Sequence, residues 1–391
     1  MQQQHFYSKY LDNHKPMKYY IIAGEASGDL HGSRLINAIL KNDPEARIRA
    51  WGGDKMQEAG AVIIKHYRDL AFMGFTEVVS NISTILSNMK FCKKDICTFN
   101  PDVVIFIDYP GFNLPIAKFV KSKGYLTVYY ISPQIWAWKE KRIHTIKKVV
   151  DKMMVILPFE KTFYEKWKYP VDYVGHPLIE IIDEYQQSLD KKAVGAELGL
   201  DGGKKIIALL PGSRKQEIAK KLPIMLESSN DFPEALFVVA QAPGIGDDFI
   251  TAFTNKYTNV VLVKNKTYDL LSIADAALVT SGTATLETAL FRVPEIVCYK
   301  GSPISYAIAK KLIKVKYISL VNLIMDQPIV KELIQHELTA ENIKQELKDL
   351  LYNEDRKNKY KADTDNLYQL LSAGGKASEK AAGIIQQMLI A

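Results

Sequence analysis

The sequence predicts an α/β protein made of two doubly wound parallel-sheet domains that face a central cleft. Three observations support this. Short runs rich in Val and Ile are apolar throughout rather than alternating with polar residues. Helix-length segments separate them. The alternation starts twice, at Lys18 and again at Lys205. A strand that is apolar throughout has both faces covered, and strand–helix–strand repeats achieve that cover in a parallel sheet.

The first strand, Lys18 to Ala23, runs into the turn Gly24-Glu25-Ala26-Ser27-Gly28-Asp29 and then a helix to about Lys41. Val103 to Ile107, Leu126 to Ile131 and Lys152 to Ile156 continue the first series. Lys191 to Leu198 reads as a helix. Lys205 to Leu210, Leu236 to Ala240, Val260 to Val263, Ala276 to Val279 and Glu295 to Cys298 read as the second series. From about Thr339 the chain is helical and polar on one face. The expected layout is an extension over 1–16 and a Rossmann-like domain over 17–183, completed by C-terminal helices at 366–391. A second Rossmann-like domain covers 184–365. Ligands of such sheets bind outside the carboxyl ends of the strands, so the cleft is the expected site.

Lys plus Arg exceeds Asp plus Glu by 51 − 44 = 7. That excess suits a phosphorylated substrate or an anionic membrane face, and equally an ordinary basic surface. Cys92, Cys97 and Cys298 form no CxxC pair and are odd in number, which argues against a disulfide framework or zinc site and for a reducing cytoplasm. Met1 to Lys15 has no apolar core of a signal peptide, and Met17 stands as an alternative start. No apolar run has the length of a membrane span. His31, His66, His144, His176 and His336 show no ligand spacing, so no metal or cofactor is expected.

Several loops carry chemistry-bearing residues. Gly24 to Asp29 is a tight strand-to-helix turn that either approaches a ligand or is capped by Ser27 or Asp29. Asp108 ends an apolar strand, where partly apolar surroundings would raise its pKa toward that of a general base. An Asx-turn before Pro110 is the structural alternative. Pro211-Gly212-Ser213-Arg214 offers backbone N–H groups, a hydroxyl and a guanidinium, the parts that hold a diphosphate. Ser281-Gly282-Thr283 opens a second helix, with Glu287 one turn in and suited to a ribose diol. Two tryptophans, Trp136 and Trp138, precede Lys139, Lys141 and Arg142 in a loop fit for a ligand, an interface or the core. Phe72, Met73, Phe75, Val78, Val79, Ile82, Ile85, Leu86 and Met89 form an apolar stripe that either docks on a bilayer or packs inside. Phe75, Val78, Val79, Ile82, Ile85, Trp136, Trp138, Lys141 and Arg142 are the docking candidates.

Nine stretches occur in an order that resembles the lipid-A-disaccharide synthase family: AGEASGDLHG, FMGFTEV, PDVVIFIDYPGFN, YISPQIWAWKEKRI, LPFEK, VGHP, LLPGSRKQEI, TSGTATLE and YISLVNLI. The resemblance runs from Met17 onward. It implies a GT-B fold and an inverting glycosyltransferase that condenses UDP-2,3-diacylglucosamine with 2,3-diacylglucosamine 1-phosphate (lipid X). It implies acceptor binding in the first domain and UDP-sugar binding in the second. Asp108 would be the base. Ser213, Arg214, Ser281, Gly282, Thr283, Glu287 and Asn322 would hold UDP. Glu25, Ser27, Asp29 and Asn113 would line the sugar side. It also implies a peripheral enzyme on the cytoplasmic face of the inner membrane, without a nucleic-acid partner; monomer or homodimer stays open. Members often carry an acid where this chain has Gly111, so no second carboxylate is expected from that stretch. The competing readings are another GT-B UDP-sugar enzyme, such as a peptidoglycan-type transferase or UDP-GlcNAc 2-epimerase, and a non-catalytic UDP-sugar-binding protein.

Overall fold

The computed structural model describes residues 16–70, 81–200, 202–302, 306 and 315–390. The chain packs as two compact units. One holds the residues up to Pro177 together with those from Gly374 onward, and the other spans Leu178–Ala373.

Seven parallel strands form the first sheet: β1 (Lys18–Ala23), β2 (Arg47–Gly52), β3 (Val62–His66), β4 (Val103–Ile107), β5 (Leu126–Tyr130), β6 (Lys152–Val155) and β7 (Asp172–Tyr173). Their spatial order is β3-β2-β1-β4-β5-β6-β7. β1 and β4 are neighbours, with Ala23 opposite Ile107, and all but the first residue of the pair of strands is buried. That is the sheet interior anticipated from their unbroken apolar composition. The helix Ala26–Asn42 covers one face and meets the C-terminal helix Ala377–Ile390 there; Asn42 Nδ2 donates to Gln386 Oε1 at 2.9 Å.

The second sheet has six parallel strands: β8 (Lys205–Leu210), β9 (Ala235–Gln241), β10 (Val260–Lys264), β11 (Ala276–Thr280), β12 (Glu295–Tyr299) and β13 (Lys331–Ile334). The order is β10-β9-β8-β11-β12-β13.

Both sheets reverse direction of growth at one place, between β1 and β4 and between β8 and β11. Flanking loops leave the sheet on opposite faces at such a switch point, opening a crevice at the carboxyl edge. The loops carrying Glu25, Asp108, Arg214 and Thr283 follow these four strands.

Residue 183, the expected domain boundary, lies inside the continuous helix Pro177–Gln187, and the units change at its first residue. At the other end, the helix Glu354–Ser372 stays in the second unit, where Tyr360 donates to the Val293 carbonyl at 2.7 Å and Arg292 pairs with Asp365 at 2.6 Å. Only the chain from Gly374 returns to the first unit. Among the described residues, no helix is long and apolar enough to cross a membrane.

Candidate active site

Asp108 stands at the tip of β4 with its neighbour Tyr109 in an unusual backbone conformation: φ is +41° and +47°. Two successive non-glycine residues in the left-handed region are strained, by on the order of 1 kcal/mol or more each. Three contacts hold the pair in place. The Asp108 N–H donates to the Ile131 carbonyl at 3.2 Å. The Asp108 carbonyl accepts from the Tyr129 hydroxyl at 2.5 Å and from Asn113 Nδ2 at 2.8 Å. Strain kept by such a dense set of bonds marks a side chain whose direction matters.

Burial pushes the Asp108 carboxyl up to about 7, and the nearby Glu25 carboxylate pushes the same way, against a backbone hydrogen bond from Tyr109. Glu25 comes from the loop after β1, the opposite lip of the switch point. Gly24 makes that approach possible, since a Cβ there would lie 2.4 Å from the Tyr109 ring. The second carboxylate thus comes from another loop, not from the stretch around Gly111.

Of the other residues expected on the sugar side, Ser27 is exposed at the helix start. The Asp29 carboxylate is committed to the fold. It is buried and accepts from the N–H groups of Gly53 (2.7 Å), Lys55 (3.2 Å) and Met56 (3.1 Å), which cap the helix Asp54–Glu58. Its lone pairs are consumed by orphan helix donors. Asn113 is fully buried behind the base, and Nδ2 serves the Asp108, Ile107 and Ile22 carbonyls. It positions the base from behind.

At the second switch point, Gly212 (φ +114°) turns the chain after β8, and Ser213 and Arg214 are exposed at the start of the helix Lys215–Glu227. A side chain at Gly212 would be strained at that φ and would meet Glu217 Oε2 at 3.1 Å. Arg214 Nη1 lies 3.1 Å from Glu217 Oε1. Glu217 Oε2 is in turn 3.8 Å from Lys221, whose ammonium is buried and hydrogen-bonded to Thr280. Burial lowers the Lys221 pKa, opposed by Glu217. Lys221 therefore places a positive charge beneath both loops, since Thr280 ends β11. The sequence signal for it was a lysine on the same helix face as Ile218, Leu222 and Met225, where an apolar residue is the rule.

After β11, Gly282 and Thr283 are exposed at the start of the helix Thr283–Leu290. The Ser281 hydroxyl donates to the Ile318 carbonyl at 2.8 Å, so it shapes the loop. Glu287 accepts from the Tyr268 hydroxyl at 2.7 Å; burial raises its pKa and that bond lowers it. Asn322 is turned into the fold. It is buried, both its amide hydrogens go to Val330 O and Glu332 Oε1, and its oxygen accepts from Val330 N. Glu332 also holds the N–H groups of Ile318 and Ser319. Asn322 thus supports Ser281 through an intervening network.

The docking candidates separate. Trp136 is buried, its indole N–H donates to Glu160 at 3.1 Å, and it packs edge-on against Phe159, so it belongs to the core. Trp138 is 47% exposed, as is Ile82 at 51% and Leu86 at 59%; Ile85 is half-buried. Lys141 is exposed and Arg142 half-buried. Phe72, Met73, Phe75, Val78 and Val79 lie outside the described residues.

Two parallel-sheet units with furnished switch points define a GT-B protein. Solved structures share this fold: UDP-GlcNAc 2-epimerase from Neisseria meningitidis (TM-score 0.66, 14% identity, 96% of this chain and 100% of that one) and the calicheamicin glycosyltransferase CalG4 (TM-score 0.60, 14% identity, 96% and 99%). The family model described as lipid-A-disaccharide synthetase matches residues 19–387. Lipid-A-disaccharide synthase of Geobacter metallireducens is 39% identical over 94% of this chain and 96% of its own length. That of Syntrophus aciditrophicus is 40% identical over 93% and 95%. The chain belongs to the lipid-A-disaccharide synthetase family and is a glycosyltransferase.

The coupling of Asp108 to Glu25 has a measurable consequence. A base must be deprotonated, so kcat/KM should fall as pH drops below about 7, the value to which Asp108 is raised. Glu25→Gln removes the like charge and should move that limb to lower pH, by less than about one unit because burial is the larger cause. An unmoved limb in the variant would disconnect Glu25 from the titrating group.

Proposed function

We propose that the protein transfers a 2,3-diacylglucosamine unit from its UDP derivative to the 6-hydroxyl of 2,3-diacylglucosamine 1-phosphate, forming a β-1,6 linkage and releasing UDP. The observation that carries this reading is the half-buried Asp108, raised to about 7 at a switch point. A sugar hydroxyl is scarcely ionised at neutral pH and needs a base of that strength.

Asp108 takes the proton of the acceptor hydroxyl as its oxygen attacks C1 of the donor sugar. The bond from C1 to the UDP oxygen breaks on the opposite face, and its electron pair leaves on the diphosphate. Inversion at C1 follows from this single displacement. Arg214, the exposed N–H groups around Ser213 and Thr283, and the Lys221 charge meet the negative charge that develops. Glu287, held by Tyr268, takes the ribose diol. In this reading those cationic groups serve the leaving diphosphate, and no metal is assigned a role.

Acyl chains keep both substrates in a bilayer, since each buried CH₂ contributes about 0.8 kcal/mol. The protein therefore works as a peripheral enzyme at the cytoplasmic face of the inner membrane. Ile82 and Leu86, exposed four residues apart on the helix Ile82–Phe99, suit the contact.

The test is UDP release from UDP-2,3-diacylglucosamine in mixed micelles, with and without the acceptor. Release that depends on acceptor is expected. UDP binding without acceptor-dependent release would reject the transfer in favour of a sugar-nucleotide-binding role.

A further inference from the structure

Two cations, Lys139 and Arg142, stand together beyond β5 at the Trp138 ring. Lys139 Nζ lies 3.9 Å from the centre of the Trp138 ring, and Arg142 Cζ lies 5.9 Å from it. Both are half-buried, and Trp138 itself is open to solvent. Among the described residues, no ion pair joins either one to an acid. Loss of hydration lowers the proton affinity of both groups, and the Arg142 charge adds to that loss at Lys139. The Trp138 ring and solvent offset part of the repulsion between these like charges, and an anion bridging them would relieve the rest.

Their place in the fold tells which anion. The segment that carries them leaves β5, the strand next to β4. Arg142 is near enough to Tyr129 for its charge to favour that phenol's ionised form, and the Tyr129 hydroxyl is bonded to the Asp108 carbonyl. The pair therefore lies on the same edge of the first unit as the base. An Arg fork binds two oxygens of one phosphate, and a Lys adds a compact charge. Together they match a phosphomonoester better than a lone carboxylate.

We infer that Lys139 and Arg142, set against the Trp138 ring, form a phosphomonoester site that anchors the phosphate of the acceptor while its hydroxyl meets Asp108. This rests on the acceptor named under the proposed function. In that acceptor the phosphate and the reacting hydroxyl are at opposite ends of the sugar, which requires a cationic site beside the base rather than on it.

The experiment compares kcat/KM for 2,3-diacylglucosamine 1-phosphate with that for the same acceptor lacking the phosphate, in wild type and in the double variant Lys139→Gln, Arg142→Gln. The preference for the phosphorylated acceptor should fall by about tenfold or more, as expected for lost charge-assisted bonds. A structural role would lower both acceptors alike and leave the preference intact, overturning the site. Flotation with phosphatidylglycerol-containing and neutral vesicles separates the other source of phosphate. If the variant loses only anionic-vesicle binding and keeps its acceptor preference, the cations read lipid headgroups and the inference fails. If wild type transfers to neither acceptor, the proposed function fails. The site is then judged by calorimetry with glucosamine 1-phosphate, and equal or absent binding in wild type and variant overturns it.

Discussion

Asp108→Asn should abolish nearly all acceptor-dependent UDP release, with kcat lowered by about 10²–10⁴-fold, the usual share of a general base. The substitution keeps the shape of the side chain, so the Asp108 main-chain bonds to Tyr129, Asn113 and Ile131 persist. UDP affinity should be retained, because every group assigned to UDP lies in the second unit. Stability should move in the opposite sense to activity. The folded carboxyl titrates near 7 against an ordinary 3.8, so the folded state holds its proton more tightly than the unfolded chain. Stability from this group is whole below about pH 4, declines as pH rises to about 7 and stays lost above that. Asn carries no such burden. The variant should therefore melt above wild type at pH 8 and match it more closely near pH 4. An inactive variant that melts lower at pH 8 would have lost structure rather than a base. A variant with wild-type turnover would remove Asp108 from the chemistry.

Much of this site was legible because its strands are apolar on both faces. β1, β4, β8 and β11 lie inside their sheets, and their composition announced them with ends at or within a residue of those observed. The strands that escaped notice lie toward the outside. β2 alternates Arg47 and Arg49 with apolar residues, β13 is Lys-Glu-Leu-Ile, and β7 has only two residues. β7 and β13 are edges, where charge that discourages pairing with other chains blurs the signal, whereas β2 lies inside β3 and is blurred by its alternation alone.

The direction of a side chain was harder to read than its position. Asp29 and Asn322 sit in helices that border the site, yet Asp29 spends its oxygens on backbone N–H groups and Asn322 spends its amide on Val330 and Glu332. Whether a polar residue points at a ligand or at an orphan N–H depends on which loop packs beside it, and local sequence does not contain that information. The same holds for Trp136 against Trp138. Two positions apart on a one-turn helix, they point in different directions, one to Glu160 and one to solvent. Glu25 and Lys221 illustrate the converse. Glu25 acts on Asp108 across 83 residues of chain, counted as 108 − 25, and Lys221 underlies a loop that closes with Thr280.

Arg214→Met should lower kcat/KM for the UDP-sugar by about 10²–10³-fold, as removal of a preorganised donor to a developing charge does. The loss should appear mainly in kcat, because the charge on the departing diphosphate is greater in the transition state than in the bound donor. Arg214→Lys should recover only part, since a Lys cannot make the two parallel bonds of a guanidinium. The remaining activity has a structural source. Glu217 bridges Arg214 and Lys221, at 3.1 and 3.8 Å. When the guanidinium is removed, the carboxylate turns to the lysine alone, and the positive charge beneath the loops is partly neutralised. Arg214→Met combined with Glu217→Gln should therefore be more active than Arg214→Met alone, because Lys221 is released to face the diphosphate. Steady-state kinetics of the two single variants and the double variant measure that coupling directly. Additive losses would show that Lys221 does not feel the nucleotide. A rise in KM with unchanged kcat in Arg214→Met would confine Arg214 to holding the donor in its ground state.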